Sequence, residues 1–132
     1  MDGYDAISRL VIHCANLIQQ RLGSNCSAET YREALRHQLE EVGARVTSQP
    51  CRMFCIEGQR LASQSMDLLV EDQVVVNTLN VERVEISHEA RLLRYLKLGQ
   101  YQTGLLLNFN GRLLRSGIKS FRLSELENAQ AG

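Results

Sequence analysis

A few carboxylates around the segment VVVNTLNVE, Val74 to Glu82, are the residues of this chain that could support metal-ion chemistry. Asp67 opens the segment DLLV, Glu71 follows it, and Glu29 lies well upstream. Carboxylates that meet at one point can hold Mg²⁺ for hydrolysis of a phosphodiester bond. The spacing of these acids gives no reason to expect convergence, so residue types alone leave such a site as one alternative.

Cysteine and histidine, the usual zinc ligands, show no ligand spacing in this chain. The segment CRMFC would place its two cysteines on one face of a strand, too far apart along it to share a zinc ion easily, and no C-x-x-C pair occurs. We therefore predict buried free thiols and ordinary surface or packing histidines. The residues concerned are Cys14, Cys26, Cys51, Cys55, His13, His37 and His88.

Basic residues form the remaining candidate site, a contact surface for nucleic acid. Arg91, Arg94 and Lys97 recur at helical spacing, a pattern that usually marks a solvated helix face. Fifteen basic residues balance fifteen acidic ones, so the formal net charge is zero and no long-range field draws the chain toward DNA or RNA. The other candidates for such contacts are Arg112, Arg115, Lys119 and Arg122.

The length of 132 residues corresponds to one domain with a single core. We expect that domain to cover residues 1–123, with 124–132 as a short, loosely ordered tail. The N-terminal segment is unlike a secretory signal, and no apolar run approaches the roughly 20 residues of a membrane span. A cytoplasmic location is therefore expected.

The elements that would position these residues follow from hydrophobic periodicity. Apolar residues at three- and four-residue steps predict a first helix that stops at Gly23 and a second that starts after Ser27 and ends at Gly43. A third helix is predicted in SHEARLLRYLKLG, with Ser87 as a cap and Gly99 as the stop. The predicted apolar stripes contain Ile7, Leu10, Val11, Cys14, Leu17 and Ile18 in the first helix, Tyr31, Ala34, Leu35, Leu39 and Val42 in the second, and Leu92, Leu93 and Leu96 in the third.

Between and after these helices the pattern is that of strands. Short apolar or alternating runs broken by Pro50, by EGQ and by EDQ predict strands with tight turns from Arg45 to Val76. TGLLLNF predicts a strand covered on both faces, and SGIKSFRL predicts a last, more exposed one. Together these elements predict an α/β domain with a mixed sheet.

Four blocks of the sequence resemble the small bacterial GxxExxY family of the PD-(D/E)XK nuclease superfamily. They are GSNCSAETYREAL, DLLVEDQVVV, HEARLLRYLKLG and GLLLNFNGRLLRSGIKSF, in the family's order and at nearly its spacing, over residues 10–123. The resemblance implies a restriction-endonuclease-like core, with a mixed β-sheet flanked by helices. It also implies Mg²⁺ held between carboxylates, with a nearby lysine that positions or activates the attacking water.

The positions that this chemistry requires are mostly replaced. Tyr31 matches the tyrosine of the motif, which puts Asn25 at the glycine position and Ala28 at the glutamate position. Glu29, beside it, is turned about 100° around the helix. Asp67 matches the aspartate of the family and is the acidic ligand that remains.

The strand VVV leads into the E-x-K position of the family, where the glutamate falls on Asn77 and the lysine on Leu79. Between Gln73 and Val81 there is no acid and no lysine, so a shift of register recovers neither. Asparagine offers Mg²⁺ an oxygen without charge, and leucine can neither orient nor deprotonate water.

A further replacement puts Arg91 at the family's glutamine position in the third helix. If Arg91 points into the former cleft, its guanidinium would take the electrostatic role of a cation. We predict that Asp67 and Arg91 close the site as an ion pair, with Asn77 hydrogen-bonded beside them.

These replacements predict a protein that is not an enzyme and has no metal cofactor: a pseudo-nuclease that acts as a structural or protein-interaction module. We expect a homo-oligomer or another protein as its partner, through an exposed sheet edge or helix face, and no membrane. Two alternatives remain open. One is a protein that binds nucleic acid without cleaving it, and the other is a nuclease with a site rearranged around Asp67 and Glu29, Glu71 or Glu82.

Overall fold

The computed structural model describes residues 4–49, 53–62, 66–111 and 114–125 of the chain. Its helices are α1 (Ala6–Leu22), α2 (Ala28–Glu41) and α3 (Ile86–Gly99). Its strands are β1 (Val46–Ser48), β2 (Met53–Ile56), β3 (Gln59–Ala62), β4 (Leu68–Val70), β5 (Val74–Leu79), β6 (Thr103–Asn108) and β7 (Ile118–Arg122), with a 3-10 turn at Leu114–Gly117. Residues 126–132 of the predicted tail lie outside the described part.

The central sheet has the order β1-β4-β5-β6-β7, and β2 pairs with β3 as a separate hairpin. Strands β5 and β6 are parallel, with Val74 opposite Thr103 and Leu79 opposite Asn108, while the other pairs are antiparallel. Helix α3 makes the crossover that a parallel pair requires. The sheet is therefore mixed, which confirms the predicted α/β class.

Helices cover both faces of the sheet, so the middle strands are apolar without alternation. On one face α1 and α2 pack over Val74 and Val76, and on the other α3 packs over Val75 and Leu106. Every residue of β6 is buried, as TGLLLNF predicts, while β7 is more exposed. A Cβ at Gly104 would lie 3.0 Å from Leu96 Cδ1, so this glycine allows α3 to lie close to the sheet.

The ends of α1 and α2 largely follow the prediction. Gly23 ends α1 with φ +74°, and the Ser27 hydroxyl accepts a hydrogen bond from the Thr30 N–H at 3.1 Å to begin α2. Helix α2 ends at Glu41 with Val42 as its C-cap, and the predicted Gly43 follows with φ +91°, the conformation of a glycine that terminates a helix. Val42 is 53% exposed instead of part of the buried stripe. The stripe prediction is wrong for Val42 because the helix has already ended there.

The predicted N-cap residue of α3 is wrong by two positions. Glu85, not Ser87, is the N-cap residue, and its backbone N–H donates to His88 Nδ1 at 2.9 Å. Ser87 lies inside the helix. Gly99 is the last helical residue, and Gln100 takes the left-handed conformation that ends α3.

The two turns marked by EGQ and EDQ are confirmed. Glu57 and Gly58 join β2 to β3, and both have positive φ. Glu71 and Asp72 have φ of +53° and +55° between β4 and β5. Two successive residues with positive φ match the twist of the antiparallel strands that they connect.

Within the described part of the chain, no helix has the length and apolar character to cross a membrane.

Asp5 fixes the start of α1 to the sheet. Its carboxylate accepts a hydrogen bond from the Ser8 N–H at 2.7 Å and another from the Thr103 hydroxyl at 3.3 Å. Burial raises the pKa of Asp5, but the hydrogen bonds from Ser8 and Thr103 and the charge of Arg122 together hold it below its usual value. The carboxylate therefore stabilises the fold in its ionised form.

We expect Asp5→Ala to lower the free energy of unfolding by about 0.5–2 kcal/mol at neutral pH, because α1 loses its N-cap. The lowered pKa means that this contribution is present above the unfolded value near pH 4 and is lost as the pH falls through the folded pKa. Urea unfolding of both proteins at pH 7 and at pH 3 should show the difference shrink in acid. Glu82→Ala, at an exposed loop position, is the control, and an undiminished difference in acid would contradict the capping role.

Candidate functional site

The carboxylate of Asp67 lies at the end of the β4–β5 pair, where Asn77 donates to it. Asn77 is 5% exposed, and its Nδ2 lies 2.6 Å from Asp67 Oδ2. The Thr78 N–H donates to the same oxygen at 2.7 Å. One carboxylate oxygen therefore receives two short hydrogen bonds from β5, and charge-assisted bonds of this kind are stronger than neutral ones.

The other oxygen of Asp67 faces a cation of the chain itself. Arg32 Nη1 is 3.8 Å from Asp67 Oδ1, and the two side chains are 14% and 20% exposed. Arg32 lies one turn after Ala28 on α2, on the same side of that helix. We call Arg32, Asp67, Asn77 and Thr78 the Asp67 cluster.

The Asp67 cluster corrects the predicted Asp67–Arg91 ion pair. The pair that forms uses Arg32 of α2, while Arg91 is exposed on α3, the helix that covers the other face of the sheet. As predicted, an arginine lies near the Asp67 carboxylate and Asn77 donates a hydrogen bond to it, but the arginine is a different one. Arg91 was predicted because it occupies a motif position of the family, whereas Arg32 belongs to no motif.

The two remaining motif positions serve packing and helix placement. Ala28 begins α2, and its carbonyl accepts a hydrogen bond from the Thr78 hydroxyl at 3.1 Å. Leu79 packs against the apolar cluster beneath α3, as Val84 and Leu93 also do. A side chain at position 79 thus contributes apolar contact where the family would have a lysine.

Asparagines that sequence reasoning missed form the rim beside the Asp67 cluster. Asn80 Nδ2 donates to the carbonyls of Ser24 and Cys26, at 3.1 and 2.6 Å. Asn108 bonds both backbone groups of Val81, which ties the loop after β5 to the end of β6. Asparagine readily bonds nearby backbone, so its recurrence in NTLN and NFN was the available signal.

Tyr31 contacts the α1–α2 loop, which Asn80 also bonds. Its hydroxyl donates to the Gly23 carbonyl and accepts from the Cys26 N–H, and burial raises its pKa. Its ring stacks on Phe109 with centroids 4.2 Å apart. The tyrosine of the motif therefore holds the α1–α2 loop against the sheet.

The donor set around Asp67 does not fit Mg²⁺. A magnesium ion takes six oxygen ligands at 2.0–2.1 Å and is held by carboxylates, whereas Asp67 meets the amide of Asn77 and the guanidinium of Arg32. Across the described ranges, no three His, Cys, Asp or Glu residues are grouped to hold a metal ion.

The acids named for a rearranged site lie in three different places. Glu71 is in the β4–β5 turn, at the other end of that strand pair from Asp67, and bonds the Arg45 N–H at 2.5 Å. Glu29 is exposed on α2, and Glu82 is exposed in the loop after β5. The structure therefore does not bring Glu71 to Asp67.

The basic residues are divided between two elements. Arg91 and Arg94 are exposed on α3 and Lys97 is half-buried there, while Arg122 is half-buried on β7. Lys119 Nζ lies 2.5 Å from Glu89 of α3, which neutralises its charge locally. Arg112 lies outside the described residues, and so does the side chain of Arg115.

The cysteines and histidines that the structure describes are separate from the Asp67 cluster. Cys14 is buried and Cys26 half-buried, both as free thiols, and burial raises the pKa of Cys14. His13 and His37 are exposed. Cys51 lies outside the described residues, and Cys55 is described only in its backbone, within β2.

We expect Asp67→Ala to lower the free energy of unfolding by about 1.5–3 kcal/mol, because the Asn77 amide and the Thr78 N–H lose a charged acceptor. Arg32→Met should cost less in the Asp67→Ala background than alone, since its partner is already gone. Chemical unfolding of the two single variants and the double variant measures this coupling. Strictly additive changes would show that Arg32 and Asp67 do not interact.

Comparison with known proteins adds the relationship of the whole domain. A family model described as the PD-(D/E)XK nuclease superfamily matches residues 5–121. Searches of curated proteins and of solved structures return no significant match. The matched range runs from before α1 to the penultimate residue of β7, and the mixed sheet between helices agrees with the restriction-endonuclease-like core of that superfamily. The chain therefore belongs to the PD-(D/E)XK nuclease superfamily.

Proposed function

We propose that this chain is a non-cleaving member of its superfamily, a pseudo-nuclease that serves as a protein-interaction module and associates with itself. The observation that carries the proposal is the occupation of the Asp67 carboxylate by Asn77, Thr78 and Arg32. The acid that would hold a metal ion takes part in holding α2 to the sheet.

Electrostatics supports the same reading. Asp67 and Arg32 carry opposite charges, so the pair as a whole offers no net negative charge to a divalent cation. A cation at Asp67 would leave the guanidinium of Arg32, whose side chain is 14% exposed, without its carboxylate partner, and burying an unpaired charge is unfavourable. A cation would have to offset that penalty before it gained any ligand.

Loss of the proton-transfer group supports it further. Leu79 contributes apolar contact beneath α3, and an apolar side chain cannot position a water for attack on phosphorus. Within the superfamily we place the chain in the GxxExxY family, on the four blocks that resemble it. The bacterial origin and the cytoplasmic setting that this resemblance suggests are part of the same proposal.

Nucleic-acid binding without cleavage is the second candidate, and the exposure of Arg91 and Arg94 on α3 favours it. Phosphate contacts by such residues would weaken steeply with added salt. The local pairing of Lys119 with Glu89 and the zero net charge count against it. We rank it below the interaction module.

The absence of cleavage is tested with purified protein, Mg²⁺ or Mn²⁺, and single- and double-stranded DNA and RNA. We expect no metal-dependent products, and no rise in melting temperature on addition of either ion, because a ligand that binds the folded state must stabilise it. Metal-dependent cleavage that disappears in Asp67→Ala would overturn the proposal. Cleavage that persists in Asp67→Ala would indicate a contaminating nuclease.

Self-association is tested by sedimentation equilibrium over a wide range of protein concentration. We expect a reversible monomer–dimer equilibrium, and a strict monomer at every concentration would contradict the interaction module as stated. Retention on immobilised DNA or RNA that weakens with salt would instead favour the second candidate.

A further inference from the structure

The loop after β6 contains Asn110 followed by Gly111, and both residues are exposed. This pairing is the one most prone to deamidation, because glycine has no side chain to hinder its backbone nitrogen from approaching the asparagine side chain. Every other asparagine of the chain precedes a residue that carries a side chain. These are Asn16, Asn25, Asn77, Asn80, Asn108 and Asn128.

The fold leaves Asn110 accessible although it anchors the residues on either side. Asn110 lies in neither a helix nor a strand, so no regular hydrogen-bond ladder fixes its backbone. Gln19 Nε2 donates to the carbonyls of Phe109 and Gly111, at 3.2 Å each. A Cβ at Gly111 would meet no atom within 4 Å, so this side of the loop is open to water.

We propose that Asn110 is a site of spontaneous deamidation, and that its conversion detaches the loop after β6 from Asn80. The Gly111 nitrogen attacks Cγ of Asn110, so that an N–Cγ bond forms and the Cγ–Nδ2 bond breaks. The proton of the Gly111 nitrogen leaves with the amino group as ammonia. Water then opens the cyclic imide at either carbonyl and gives aspartate or isoaspartate. This chemistry is independent of the self-association and of the loss of cleavage proposed above.

The effect of the conversion depends on the neighbouring Asn80. Asn110 Nδ2 donates to Asn80 Oδ1 at 3.0 Å. The Asn80 amide cannot turn over, because its Nδ2 donates to the carbonyls of Ser24 and Cys26 at 3.1 and 2.6 Å. A carboxylate at position 110 has no hydrogen to donate and would face Asn80 Oδ1 as a second acceptor. The bond between this loop and Asn80, and through Asn80 to the α1–α2 loop, is therefore lost.

The isoaspartate product disturbs the loop further. Its main chain runs through Cγ, which adds a methylene group between Phe109 and Gly111. Since Gln19 holds the carbonyls of both these residues, we expect one of its two hydrogen bonds to break. Either product also places a new negative charge on the exposed rim beside Asn80.

Mass spectrometry of the full chain, incubated at mildly alkaline pH and digested with trypsin, tests the chemistry. The fragment from Leu98 to Arg112 contains both Asn108 and Asn110. We expect Asn110 to gain the mass that replacement of NH₂ by OH brings, while Asn108, which precedes Phe109, keeps its amide. An Asn110 that keeps its amide while a synthetic peptide of the same sequence converts would overturn the proposal.

Amide hydrogen exchange of the variant Asn110→Asp tests the detachment. The Asn110 N–H donates to Asn108 Oδ1 at 3.3 Å, and we expect its exchange to become faster by about threefold or more when the loop leaves Asn80. Exchange in α3 should stay unchanged, and so should the far-ultraviolet circular dichroism spectrum. Equal exchange at position 110 in the variant and in the unaltered chain would rule out the detachment.

Asn110→Gln is the matched control, because it keeps a carboxamide whose attack by the next nitrogen must close a larger and slower-forming ring. Incubation should therefore leave exchange in this variant as it was, while the unaltered chain exchanges faster as its products accumulate. A change of the same size in Asn110→Gln would assign the effect to another position and would contradict the role of Asn110.

Discussion

The parallel pairing of β5 with β6 is the constraint from which most of the structure follows. A parallel neighbour cannot be reached by a tight turn, so the chain must cross over, and α3 is that crossover. The crossover covers one face of the sheet, α1 and α2 cover the other, and both strands must then be apolar on each side. Polar residues are confined to the strand ends, where Asn77, Thr78 and Asn108 lie.

Placement at the end of a buried strand explains why the Asp67 cluster is both polar and hydrogen-bonded. Each polar group there is close to the core and needs a partner, because an unsatisfied buried group is unfavourable by about 1–3 kcal/mol. Asn77, Thr78 and Arg32 supply those partners to Asp67, and Asn80 and Asn108 supply them to the neighbouring loops. The result is a strand end in which side chains pair Asp67 and the neighbouring loops, while the buried Nε of Arg32 has no hydrogen-bond partner among the described residues.

The helices, the strands and the fold class could be predicted from the sequence because they depend on hydrophobic periodicity and on glycine positions, which are local features of the chain. Tight turns, the doubly covered β6 and the cap at Ser27 were predictable for that reason. Arg32 was not, since its partner is 35 positions away in the printed sequence and reaches it only after α2 packs on the sheet. The predictions for Val42 and for the N-cap of α3 were wrong because both lie at helix ends, where a difference of one or two residues changes the environment of a side chain.

The hairpin of β2 and β3 leaves the central sheet between two strands that pair directly with each other. Ser48 of β1 lies opposite Leu68 of β4, and the hairpin makes a sheet of its own. The turn of Glu57 and Gly58 at the tip of this hairpin can therefore vary in length without shifting the register of the five-stranded sheet, because closing a longer loop adds little to its entropy. This turn is therefore a place where a reporter peptide could be carried by the intact domain.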